Sequence, residues 1–274
     1  ELTGAYAFKL SDKFSIGVNG KFAYSNLTGG LTVAGVMTKA GKVGAADLSF
    51  AYYNDRVKLG NKNATYMFAT TINNIGNKVA YSVLAKRDFI PMNLKIGNAL
   101  QIKYDSYNTI TYSVDIQRLL VPTPAFYDNV NGSYTMLSGM NGDVGIINGI
   151  MQSFYDAPGV VAKDENGDYI VNGDGTYQTV KGSKLKEELS EINIAGGIEW
   201  WYNETFAVRT GVFYESKNKG NRQYLNLGAS LKYNMFGIDF SYLASLNGRQ
   251  NPLSNTLRFT LRLYLGDKQV KAAE

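Results

Sequence analysis

A chain of 274 residues that is 45% hydrophobic and 13% aromatic, with 29 Gly and only 5 Pro, is neither a disordered polypeptide nor a helical bundle. It contains no Cys and no His, which removes disulfide frameworks, thiolate or imidazole metal sites and His-based triads; any catalysis would rest on carboxylates, Lys, Ser or Tyr. The formal net charge of +5 is mild and its basic residues are scattered, so no nucleic-acid-binding patch is read.

The chain opens at Glu1-Leu2-Thr3-Gly4 directly in an alternating pattern, with no signal peptide and no apolar run of the ~18 residues a transmembrane helix needs. The expectation is that further strands and an export signal precede Glu1 in the native protein. Two-residue alternation predicts strands near 2–10, 13–26, 45–54, 63–74, 93–104, 108–119, 190–203, 205–216, 222–234, 237–247 and 255–265. It is cleanest at the end of the chain. Leu257, Phe259, Leu261 and Leu263 share one face there, and Arg258, Thr260 and Arg262 share the other.

Several of these segments reach the ~9–11 residues of a strand that crosses a bilayer, against ~5–6 in globular sheets. One face collects Lys21, Lys95, Lys103, Arg209, Lys232, Arg258 and Arg262 together with Asp115, Glu199, Glu215 and Asp239. The opposite face is nearly uncharged over the strand centres, as lipid demands. Tyr24, Tyr104, Trp200, Tyr202, Tyr214 and Tyr233 fall near strand ends, where interfacial aromatic girdles sit. Short links at 11–12, 105–107, 203–204 and 235–236 alternate with longer ones at 27–44, 75–92, 120–189, 217–221 and 248–254; only 55–62 is longer than its place requires.

The predicted fold is therefore all-β, a transmembrane antiparallel β-barrel with about eleven strands in this chain. Bacterial barrels have even strand counts, and about fourteen in the complete protein would restore parity. The organisation expected is an N-terminal part of the barrel over 1–119, a long extracellular insertion over 120–189, C-terminal strands over 190–265 and a periplasmic tail over 266–274.

The insertion breaks the alternation after Pro122 and Pro124. Val144, Ile147, Ile150, Met151 and Phe154 recur at helical spacing, predicting a short helix over 143–154. Turn chemistry around Tyr169-Ile170-Val171 and Thr176-Tyr177-Gln178 predicts a small hairpin. Asp164, Asn166 and Asp168 imitate the opening of a calcium loop, but Tyr169 replaces the required Gly and Gly175 the closing Glu, so no metal is assigned. Lys184–Glu188 reads as a solvated face.

Four groups of residues carry a resemblance: Ser153-Phe154-Tyr155-Asp156-Ala157-Pro158-Gly159, Glu187-Glu188-Leu189-Ser190-Glu191-Ile192, Gly197-Ile198-Glu199-Trp200-Trp201-Tyr202-Asn203, and Arg209 to Arg222 with Asn251 to Phe259. Together they resemble the PorV family of outer-membrane proteins of the type IX secretion system, itself similar to fatty-acid-transporter barrels. The resemblance is densest over 153–265, with weaker traces at Asp47-Leu48 and Asn73–Gly76. It implies a non-enzymatic, cofactor-free protein of the cell outer membrane. Such a protein binds cargo C-terminal domains at the translocon barrel (Sov, also called SprA) and shuttles them to the PorU-containing attachment complex. The 160–182 stretch departs from the family pattern.

Two other functions fit the sequence less well. A fatty-acid-type transporter of hydrophobic solutes conflicts with the charged inward face, and a lipid-modifying enzyme conflicts with the missing His. Ile150, Met151, Phe154, Tyr155, Asp156 and Pro158 are the residues expected to contact the translocon or cargo, because large apolar side chains on an insertion gain ~1.5–3 kcal/mol each on burial.

Overall fold

The computed structural model describes residues 1–27, 29–33, 35–248 and 255–264. Its strands are β1 (Leu2–Lys9), β2 (Phe14–Ser25), β3 (Thr32–Val33), β4 (Val36–Met37), β5 (Gly41–Leu59), β6 (Lys62–Gly76), β7 (Asn93–Lys103) and β8 (Asn108–Leu119). There follow β9 (Phe126–Val130), β10 (Ser133–Ser138), helices α1 (Ile146–Gln152) and α2 (Ser183–Ser190), then β11 (Ile192–Tyr202), β12 (Phe206–Tyr214), β13 (Gln223–Tyr233), β14 (Phe236–Ser245) and β15 (Thr256–Leu263).

The main sheet has eleven strands in the order β1-β2-β5-β6-β7-β8-β11-β12-β13-β14-β15. Each joins its predecessor in the sheet, an antiparallel meander in which every connection returns the chain beside itself. The strands read from the alternation are these same eleven. The tail at 266–274 and most of the 248–254 link lie outside the described residues.

The link predicted at 55–62 is shorter than the sequence suggested. β5 runs on to Leu59, and Gly60 (φ 60°) and Asn61 alone make the turn. Its polar end, Asn54-Asp55-Arg56, looks like a loop only because a strand leaving the apolar zone has no hydrophobic face to display. At Asn203 and Glu204, successive φ values of 49° and 50° close the β11–β12 hairpin as a type I′ turn.

Accessibility follows the predicted facing. Along β2, Phe14, Ile16, Val18, Phe22 and Tyr24 are exposed, while the residues between them are half-buried. In β12, Phe206, Val208, Val212 and Tyr214 are exposed and Ala207 is fully buried. In β15, at the end of the sheet order, both faces are open: Phe259 is 69% and Leu261 65% exposed, Arg258 and Thr260 are exposed as well, and Phe259 meets Phe240 of β14 edge to face at 5.2 Å. Tyr202 stacks on Tyr107 at 6.0 Å and neighbours Trp200, which meets Phe206 edge to face, forming an aromatic cluster at one end of these strands.

The opposite face carries ion pairs. Arg209 sits opposite Glu199 in register and binds it at 3.1 Å; Asp239 lies 3.7 Å from Arg209 and 2.6 Å from Arg262. Ser230 of β13 donates to Asp239 between them. Gly228 makes this possible, because a Cβ there would lie 2.7 Å from the Arg209 side chain.

The chain forms two compact units, one of residues 1–51, 69–96 and 117–192, the other of 52–68, 97–116 and 193–274. The first has an apolar core of Ile90, Met92 and Leu120, packed by Val43, Ile72, Phe89, Ile146 and Ile150. The second contains the Glu199–Arg209–Asp239–Arg262 ladder.

Candidate functional site

The insertion is more structured than its broken alternation suggests. β9 and β10 form a hairpin turned by Asn131 (φ 51°) and Gly132 (φ 82°). Asn-Gly between two short aromatic-bearing runs is the strongest local signal for such a turn, and it is the feature by which the hairpin could have been found. The predicted hairpin at 169–178 is present: Val171 bridges Tyr177, Lys163 bridges Tyr169 and Val161 bridges Thr179. Asp164 accepts the backbone N–H groups of Asn166 and Asp168, so its carboxylate closes a turn.

The predicted helix at 143–154 is α1, shorter at both ends. Ile146 and Ile150 pack on the Ile90–Met92–Leu120 core, and Gly149 lets the helix approach, since a Cβ there would lie 2.7 Å from the Phe89 ring. The other face points to solvent. Ile147 and Met151, one turn apart, are exposed, with Met151 at 60%. Phe154 and Tyr155 extend this stripe past the helix end, Tyr155 at 62% exposure.

Beneath the stripe lies a buried polar hub. Arg118, at the end of β8, donates to the Ser153 carbonyl, to Glu188 of α2 and to Glu191 at 2.9 Å; all three charged side chains are largely buried. Thr123 Oγ1 donates to Glu191 at 2.6 Å. Asp156, 1% exposed, accepts the Thr123 N–H at 3.0 Å and the Gln152 amide at 3.2 Å. Burial raises its carboxyl pKa above the ordinary value, and the charge of Glu191 adds to the effect.

After a turn at 153–155, residues 156–159 cross this hub as a strap. Glu188 accepts the Ala157 N–H at 2.8 Å and Glu187 accepts the Gly159 N–H at 2.7 Å. Gly159 has φ +68°, and a Cβ there would meet the Lys184 nitrogen at 2.9 Å, so glycine is required for both conformation and space. The Lys184–Glu188 stretch, read from the sequence as a solvated face, thus supplies the acceptors that hold the strap. The resemblance marks Glu187 to Ile192 as a motif, but the backbone N–H groups that Glu187 and Glu188 accept carry no sequence signature.

The structure therefore divides the six residues singled out from the sequence. Met151, Phe154 and Tyr155 lie on one exposed stripe, to which Ile147 belongs as well. Ile150 is half-buried and anchors α1. Asp156 and Pro158 are buried and hold the strap in place, the Pro158 carbonyl accepting from Ser138 Oγ. Above the hub, the Arg118 guanidinium carbon lies 5.1 Å from the Phe154 ring centroid, so the stripe and the ion pairs are mechanically joined.

Long antiparallel strands in a meander, with an uncharged outward face and paired charges on the other, define the class as a transmembrane antiparallel β-barrel protein. Residues 1–126, just under half of the chain, match the family described as type IX secretion system protein PorV, in line with the resemblance read from the sequence. The matched stretch reaches the first residue of β9 and lies where the sequence resemblance was thinner; the motifs of 153–265 fall beyond it. No curated protein matches the chain.

Proposed function

We propose that the chain is a non-enzymatic carrier of the cell outer membrane. It would bind C-terminal domains of secreted cargo at the translocon barrel (Sov, or SprA) and pass them to the PorU-containing attachment complex. The uncharged face of β2, β12 and β15 would meet the lipid bilayer. On this reading β8 runs outward, and the insertion at 120–189 stands at the cell surface.

The observation that carries the proposal is the stripe of Ile147, Met151, Phe154 and Tyr155. It is apolar, exposed and seated on a hub in which Arg118 binds Glu188 and Glu191 and Asp156 accepts from Thr123 and Gln152. A self-packed lid would turn such residues inward, as Ile146 and Ile150 are turned. Aromatic side chains on a rigid support are the usual energetic anchors of a protein interface. Asp156 and Pro158 would act by presenting the strap, and Ile150 by fixing the helix behind it.

The test is the double variant Phe154→Ala with Tyr155→Ala, expressed in the native secretion background. Barrel abundance and heat-modifiable gel migration should be unchanged while export of cargo falls. Normal export with a normal barrel would refute the assignment of this surface.

A further inference from the structure

We infer that one end of the charged face in the second unit is a docking site for an acidic, extended peptide segment of a periplasmic partner protein. The chemistry is argued from the site alone. Its side of the membrane rests on the proposed reading in which β8 runs outward.

Two cavities open there, of about 560 Å³ and about 280 Å³, and Gln101 and Lys103 line both. Arg56 and Lys58 line the first; Lys232 and Arg262 line the second, beside Trp201 and Tyr264. These residues gather at one end of the strands. Lys103 is the last residue of β7, and Trp201, Lys232 and Arg262 are each the last but one of β11, β13 and β15. Arg56 and Lys58 stand on the far end of β5, which has 19 residues against 11 in β7 and runs on past the apolar zone. With β8 running outward, β5, β7, β11, β13 and β15 all run inward, so this end meets the periplasm.

Charge is what points to an occupant. Arg209 and Arg262 are answered by Glu199 and Asp239 on the same face. Among the described residues, Arg56, Lys58, Lys103 and Lys232 have no ion-pair partner, and the carboxylates lining the two cavities are Asp55 and Glu204. Positive charge is therefore in surplus, beside low-dielectric walls that focus its field on an incoming anion. Several of these cations are also held in place. The Lys232 ammonium lies 4.5 Å from the Tyr264 ring centroid, Lys58 donates to Asn63, and Lys62 of the same hairpin lies 3.9 Å from the Tyr104 ring centroid. Side chains fixed in this way lose less entropy when an anion binds.

The arrangement selects a peptide among anions. Its cations are spread over β5, β7 and β13 and through two cavities, so a single phosphate or carboxylate reaches only part of them. Asn63, Thr65, Gln101 and Thr109 supply donors and acceptors suited to peptide groups between successive carboxylates. Ala64 is the one aliphatic side chain of the lining, so a lipid tail has no wall to bury against.

The experiment follows the anisotropy of a fluorescein-labelled peptide, glutamate alternating with serine over ten residues, as the full chain is added in detergent. The glutamate peptide should bind, and its glutamine counterpart should not. Lys103→Gln, in the lining shared by both cavities, should weaken binding about tenfold, as expected for loss of one charge-assisted contact. Lys103→Arg should retain binding, and Lys103→Gln with Lys232→Gln should lose about a hundredfold. Lys181→Gln, in the insertion, should change nothing, and heat-modifiable migration should stay as in the wild type throughout. Equal binding of the two peptides, or undiminished binding to the double variant, overturns the inference. Displacement of the peptide by inorganic phosphate or by phosphatidylglycerol vesicles at the same concentration of charge overturns it as well, since the site is then one for anions at large. The side of the membrane is read separately. The chain has no cysteine, so Lys103→Cys provides a single thiol. A membrane-impermeant maleimide should label it in cells only after the outer membrane is permeabilised. Labelling from outside overturns the periplasmic assignment and the orientation in the proposed function together, while peptide binding in detergent still decides the site. The Phe154→Ala, Tyr155→Ala variant should bind the peptide as the wild type does; loss of binding there, with none in Lys103→Gln, overturns the site and moves the peptide to the exposed stripe.

Discussion

Arg118 lies with its guanidinium carbon 5.1 Å from the centroid of the Phe154 ring, and the same group binds Glu188 and Glu191. A ring exposed on the surface therefore rests on a buried ion triad. The contact couples the position of a proposed partner residue to the junction between β8 and α2. Cation–ring attraction adds ~0.5–1 kcal/mol at such partly exposed sites, but the larger consequence is geometric: the strap cannot move without disturbing the triad.

Arg118→Leu should be far more damaging than its place at a strand end suggests. It leaves Glu188 and Glu191 buried without their cation, which costs about 3–5 kcal/mol in comparable cases. The loss should be confined to the insertion. Limited proteolysis should cut within 120–189, while the heat-modifiable migration of the barrel is kept.

Asp156 has the opposite pH behaviour from Asp143. Desolvation raises the Asp156 carboxyl pKa, so the folded state holds its proton more tightly than the unfolded chain. Its ionisation is therefore a penalty that grows as pH rises through the raised value and is relieved on acidification. Asp143 is lowered by its hydrogen bond with Lys86 and, more weakly, by Lys78; its contribution is present above the unfolded value and lost as pH falls through the folded one. Asp156→Asn keeps an acceptor for Thr123 and Gln152 without the charge. It should stabilise the insertion at pH 8, with the gain fading toward pH 4, as read by protease resistance at each pH. A gain that is the same at both pH values would contradict the burial argument.

Facing can be tested on neighbouring residues of β15. Leu261, 65% exposed on the uncharged side, should not tolerate Arg: a basic residue at the bilayer midplane costs ~2–4 kcal/mol. Thr260 pairs in register with Asp239, so Arg at that position would meet a carboxylate. Membrane assembly, followed by heat-modifiable migration, should fail for Leu261→Arg and survive for Thr260→Arg.

The main sheet was legible in the sequence because a strand between lipid and a polar interior must alternate at every second residue. That constraint lapses where strands leave the apolar zone, which is why the end of β5 was read as a link. The insertion was legible only in part. α1 showed itself through helical spacing of Ile147, Ile150 and Met151, but that periodicity could not distinguish Ile150, turned to the core, from Met151, turned to solvent. The roles of Glu187 and Glu188 rest on backbone N–H groups about thirty residues away, beyond any local pattern. Asp156 and Pro158 stood beside Phe154 and Tyr155 in one motif, although their burial gives them a different task.

The ladder in the second unit offers a final test. Asp239 sits between Arg209 and Arg262 and receives Ser230, so one carboxylate answers two guanidinium groups across β12 to β15. Arg209 has a second partner in Glu199, whereas among the described residues Asp239 is the carboxylate that pairs with Arg262. Removing Asp239 should therefore cost more than removing either arginine. Asp239→Leu leaves Arg262 facing a leucine and Arg209 with one partner, while Arg209→Leu leaves Asp239 still bound by Arg262. The expected order of folded yield and of resistance to heat in detergent is wild type, then Arg209→Leu, then Asp239→Leu. The paired change Asp239→Leu with Arg262→Leu should recover part of the loss, because removing both members of a pair avoids the uncompensated charge. An Asp239→Leu protein as heat-resistant as Arg209→Leu would show that the ladder is screened by water and contributes little.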